Sequence, residues 1–124
     1  MSYVNDFREL KVYKEARTLS SMIFEVTRDF PKSENYSLTD QIRRSSRSIG
    51  AQIAEAWAKR RYPKHFISKL TDASAEQQET IHWLEISNDC SYLSDMESQK
   101  LIEECSAIGK MLNRMITKSH TFCK

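Results

Sequence analysis

The sequence is sparsely punctuated. Only two glycines and two prolines occur in its 124 residues, so turns are few and the elements between them long. The three cysteines, Cys90, Cys105 and Cys123, are odd in number and lack CxxC spacing, which argues against a disulfide framework or a zinc knuckle. They read as small apolar residues, with Cys123 as an exposed thiol. No apolar run approaches the roughly 18 residues of a membrane span, and Met1 to Leu10 lacks the apolar core of a signal peptide. A soluble, cytoplasmic chain with no membrane partner is expected.

Signals for catalysis are equally thin. Gly-rich phosphate loops are missing, because Gly50 and Gly109 both fall inside helical stretches. Glu79-Thr80-Ile81-His82 has the Glu-x-x-His spacing of di-iron bundles, which brings both side chains to one helix face. Such a site needs a second copy and further inward carboxylates, and the first two helical segments contain no histidine. His65 and His120 fall near one end of the chain's helices without a paired carboxylate and nucleophile. Neither metal, cofactor nor enzymatic activity is expected.

What the chain has is helical periodicity. With 29% charged residues and sustained three-four spacing of apolar side chains, it reads as a single all-α domain. Tyr13, Ala16, Leu19, Ile23, Val26 and Phe30 stripe a first helix, about 10 to 30, that Pro31 ends. Ser37 is the expected cap of a second, about 38 to 61, with Asp40 completing the cap three residues later. Pro63 suits the first turn of a third, about 63 to 93. Phe66, Leu70, Ala73, Gln77, Thr80, Leu84 and Ser87 form its inner face, and Trp83, Ile86, Cys90 and Leu93 widen the apolar band. Ser94 and Glu97 then make a capping box for a fourth, about 97 to 122, striped by Leu101, Cys105, Ile108, Leu112, Met115 and Phe122. Short turns between four such helices predict an antiparallel up-down-up-down bundle.

The segment from Leu38 to Arg61 carries three patterns at once. Leu38, Ile42, Ile49, Ile53, Ala56 and Trp57 keep one side apolar. Gly50, Ala51, Ala54 and Ala58 form a small-residue row roughly opposite, where a solvated face is normally charged, and they are the expected seam with another subunit. Arg43, Arg44 and Arg47 lie off the apolar stripe. An antiparallel return near Tyr62 sets Arg44 and Arg47 level with Thr80 and Gln77, within a turn of Glu76 and Glu79. Arg44, Arg47, Glu76 and Glu79 are therefore the expected structural ion pairs, with phosphate contact as the alternative.

A resemblance covers nearly the whole chain. It rests on Asp6-Phe7, Leu10, Val12, Phe30-Pro31, Tyr36, Leu38-Thr39, Gln41-Ile42-Arg43-Arg44, Ser48-Ile49 and Ile53-Ala54-Glu55. It resumes at Phe66, Leu70, Glu76, Glu79-Thr80, Trp83-Leu84 and Tyr92-Leu93. Together these resemble the four-helix-bundle proteins encoded by intervening sequences in bacterial large-subunit ribosomal RNA genes, relatives of the accessory variability proteins of diversity-generating retroelements. The pattern departs at Gly50, where the family usually has proline, and at Ala56, where it usually has glycine. The resemblance implies a ring-like homo-oligomer, typically a pentamer. For the retroelement relatives it also implies a basic surface for nucleic acid and a reverse transcriptase partner.

Charge distribution sharpens the nucleic-acid expectation. A formal net charge of +2 is too small to imply a polyanion partner by itself. In an antiparallel bundle, however, the start of the first helix, the turn between the second and third, and the chain's end share one pole. Lys59, Arg60, Arg61 and Lys64 gather there, joined by Lys118 and by Lys69, Lys110, Arg114 and Lys124, while Glu85, Asp89, Asp95, Glu97, Glu103 and Glu104 gather toward the other. Lys59, Arg60, Arg61, Lys64 and Lys118 are the expected contacts for RNA or single strands, led by shape and charge. A protein-interaction scaffold without nucleic acid is the alternative, and a solvated helix end accounts for the same lysines.

Overall fold

A computed structural model describes residues 4 to 123. Four long helices, α1 (Lys11–Thr27), α2 (Leu38–Ala58), α3 (Pro63–Asp89) and α4 (Asp95–Thr117), run up-down-up-down, and a short α5 (Ser119–Phe122) closes the chain. Each long helix packs on its sequence neighbour and α4 returns onto α1, with the broadest interface between α2 and α3. The buried face of α3 is Phe66, Leu70, Ala73, Gln77, Thr80, Leu84 and Ser87. Small polar residues let α2 approach it closely: Thr80 Oγ1 lies 3.0 Å from Ser45 Oγ and 2.8 Å from the Glu76 carbonyl. Ser48 Oγ donates to Glu76 Oε2 at 3.1 Å one turn further along. These contacts fix the register of the second hairpin.

The helix ends depart from the periodic pattern for local reasons. At α1, Thr27 Oγ1 folds back to the Ile23 carbonyl at 2.7 Å, and a tight turn carries the buried Phe30 past the helix end. Ser37 makes no side-chain cap to α2; Glu34 Oε1 instead accepts from the Leu38 amide at 3.3 Å. α2 stops at Ala58 where Lys59 leaves the helical region (φ −102°, ψ 16°), and Tyr62, before Pro63, is extended (φ −119°, ψ 101°), since a residue preceding proline disfavours the helical region. α3 stops at Asp89, short of Leu93, because Ser91 adopts a left-handed φ of 62°. The Tyr92 amide then reaches back to the Ser87 carbonyl at 2.9 Å, the closure expected of a left-handed helix terminus. Ser94 and Glu97 form the capping box at α4. The fourth stripe breaks at Lys118, so Phe122 belongs to α5, where it stacks on Phe66 with centroids 6.0 Å apart.

The cysteines also separate. Cys105 is buried, and burial pushes its thiol up to about 12. Cys90, expected in the apolar band, is exposed beyond the end of α3, whereas Cys123, expected to be exposed, is half-buried.

Candidate nucleic-acid interface

The pole at the α2–α3 turn is built from one tight connection. The Lys59 amide is shared between the Glu55 and Ala56 carbonyls, and the Tyr62 amide closes on the Lys59 carbonyl at 3.0 Å. Lys59, Arg61, Tyr62, Lys64 and His65 are thereby all exposed. Arg60 is held differently: its Nε donates to the Trp57 carbonyl at 2.9 Å and its guanidinium lies 3.6 Å from the Trp57 ring centroid. Tyr62 and His65 pack at 5.3 Å, with the Arg61 guanidinium 6.0 Å from the tyrosine ring.

The chain's end joins this turn through the Phe66–Phe122 stack. That contact brings Lys118, the exposed residue between α4 and α5, to the same pole. Among the described residues, none of Lys59, Arg60, Arg61, Lys64 and Lys118 has a carboxylate within ion-pair distance. Lys69, by contrast, is engaged by Glu55 at 3.3 Å and Asp72 at 3.7 Å, and Lys124 lies outside the described residues. Uncompensated cations beside two exposed rings can attract a phosphate backbone and offer stacking faces.

The arginines of α2 divide. Arg44 Nη2 donates to Glu79 Oε2, and its Nη1 is 3.7 Å from Glu76 Oε1, within ion-pair but not hydrogen-bond reach. Glu79 also accepts from Trp83 Nε1 at 2.9 Å. That indole first, and Arg44 after it, hold the Glu79 carboxyl below its usual value against the opposing effect of burial. His82 is exposed and edge-on to Trp83. Arg47 corrects the sequence expectation. It pairs with neither Glu76 nor Glu79, because its guanidinium turns toward α1 and lies 5.7 Å from the Phe24 ring centroid. Arg43 shares that ring at 4.7 Å and donates Nε to Thr27 Oγ1 at 2.8 Å. Phe24 is an exposed ring that the sequence does not announce, because it lies off the α1 stripe.

The small-residue row also needs correction at one position. Gly50 is buried, since a Cβ there would already stand 3.5 Å from the Tyr13 ring of α1. Ala51 and Ala58 are exposed and Ala54 is half-buried. Gly50, Ala51 and Ala54 form one wall of a groove of about 330 Å³ between α1 and α2, opposite Tyr13, Ala16 and Arg17.

The family model for 23S rRNA-intervening sequence proteins matches residues 8–114. The chain belongs to that family. A crystal structure of a protein of unknown function from the S23 ribosomal protein family of Bacteroides thetaiotaomicron is similar, with TM-score 0.75 and 27% identity. The likeness covers 85% of this chain and 97% of the Bacteroides chain. No curated protein matches the sequence. The family match runs from ahead of α1 to Arg114 within α4, and so takes in the α2–α3 turn and the arginines of α2. No described helix is long and apolar enough to cross a membrane.

Proposed function

We propose that this family member is a non-enzymatic, homo-oligomeric accessory protein that binds RNA or single-stranded nucleic acid on its basic pole. The observation that carries the reading is the set of cations without carboxylate partners among the described residues, Lys59, Arg60, Arg61, Lys64 and Lys118, gathered at one end of the bundle. Binding is led by phosphate contacts, with Tyr62 and His65 as stacking faces. If protomers stand side by side about a rotation axis, their basic poles share one face and their fields add. Ala51, Ala54 and Ala58 are the residues that would admit a neighbouring helix. A pentameric count rests on the family resemblance alone, and a reverse transcriptase partner on the retroelement relatives alone.

Fluorescence anisotropy of labelled single-stranded RNA at stepped salt concentrations tests the reading. A second reading, a protein-interaction scaffold, is favoured by the α1–α2 groove, whose walls include Phe7, Tyr13, Ala16 and Ala51. Absence of RNA binding at low salt would leave the scaffold standing.

A further inference from the structure

Toward the other end of the bundle, α2 holds a second concentration of positive charge that the fold does not consume. Arg43, Arg44 and Arg47, with Asn35, Thr39 and Asp40, line a surface concavity of about 590 Å³. Arg44 is engaged by Glu79 and Glu76. Arg43 gives only its Nε to a protein acceptor, Thr27 Oγ1, and Arg47 lies over Phe24; among the described residues neither is within ion-pair distance of a carboxylate. Their shared aromatic ring restrains both guanidinium groups without neutralising them.

An independent feature of the same concavity is an orphaned hydroxyl. Thr39 is 3% exposed, and its Oγ1, sealed from solvent, finds no hydrogen-bond partner among the described residues. A buried polar group left unpaired costs on the order of 1 to 3 kcal/mol, a cost that rotation of the side chain to donate to a ligand in the concavity would remove. Thr39 also sits in the first turn of α2, where the helix dipole favours an anion. The exposed Asp40 on the same rim opposes one.

We propose that this concavity binds a phosphate group, with Arg43 and Arg47 supplying charged donors and the Thr39 hydroxyl, rotated toward the ligand, a third. The ligand is either inorganic phosphate or the terminal phosphate of an oligonucleotide, and the site is separate from the basic pole. The excess of two guanidinium charges without ion pairs over one carboxylate selects an oxyanion, and the Thr39 hydroxyl adds a neutral donor.

Arginine Nε–H resonances and calorimetry during titration with inorganic phosphate test the site on the full chain. The expected result is phosphate-dependent shifts at Arg43 and Arg47, with binding weakened about tenfold by Thr39→Val and by Arg47→Gln, the loss of one hydrogen bond to a charged group. Asp40→Asn is expected to tighten binding, and Thr39→Val to leave the unliganded fold at least as stable. A 5′-phosphorylated oligonucleotide binding an Arg61→Glu variant more tightly than its dephosphorylated form identifies the oligonucleotide source; equal binding identifies free phosphate. Unchanged arginine resonances, or wild-type phosphate affinity in both weakening variants, would overturn the proposal. A changed mass in solution for Arg47→Gln would overturn it too, by making the concavity a seam between subunits.

Discussion

The side-chain amide of Gln77 occupies the space that a side chain at residue 109 would need. A Cβ built on Gly109 of α4 stands 3.0 Å from Gln77 Nε2, the atom that donates to the Cys105 carbonyl at 2.8 Å. The two glycines of the chain therefore predict opposite outcomes. Gly50→Ala places its methyl 3.5 Å from Tyr13, an ordinary contact, so it should stabilise by about 0.5 to 1 kcal/mol through helix propensity. Gly109→Ala should destabilise despite the same propensity gain, because a buried amide must move from its acceptor. Urea denaturation of both variants, and of Gly109→Ala combined with Gln77→Ala, checks this; the double variant should recover the propensity gain.

The α3–α4 turn should be improvable. Ser91 holds a φ of 62°, a region that costs a residue with a Cβ roughly 1 kcal/mol. Ser91→Gly should raise stability by about 1 kcal/mol, read as a shift in the urea midpoint at unchanged slope.

Acid should weaken the fold through Glu79, which holds Trp83 on its own helix and Arg44 on α2. Its folded carboxyl is lowered from 4.5, chiefly by the Trp83 indole. Its contribution is thus fully present above that value and is lost as pH falls through the lower folded value. Glu79→Gln should cost about 1 kcal/mol or less at neutral pH, because the pair is partly exposed. Stability against pH should then converge with wild type below the carboxylate range; parallel curves across that range would contradict the assignment.

Assembly can be tested at Ala54. It is half-buried in the wall of the α1–α2 groove, so Ala54→Glu leaves the inner core face of α2 untouched while placing charge where a neighbouring helix is expected. Light scattering should show a smaller mass at unchanged helicity. An unchanged oligomer would move the seam elsewhere.

The buried faces are legible in the sequence because each helix repeats its apolar spacing over several turns. Every inner residue named for α3 from Phe66 to Ser87 is buried. Helix ends are less legible, since they depend on single backbone events: the left-handed Ser91 carries no glycine to announce it, and Glu34 rather than Ser37 serves the Leu38 amide. Register arithmetic places Arg44 beside Glu79, as the structure does. It cannot place Arg47, because level position along an axis does not fix whether a side chain turns toward α3 or toward Phe24 of α1. The same limit hides Gly50 beneath Tyr13.

The most direct test of the proposed function is the salt dependence of single-stranded RNA binding for wild type and for Arg61→Glu combined with Lys64→Glu. Both side chains are exposed and lack carboxylate partners among the described residues, so the fold should persist. The expected result is an affinity that falls linearly on logarithmic axes with salt, and weaker binding with a shallower slope in the variant, by about 0.7 for each phosphate it no longer neutralises. Binding that is undetectable at low salt, or identical in slope and strength for the two proteins, would contradict a polyanion role for the basic pole.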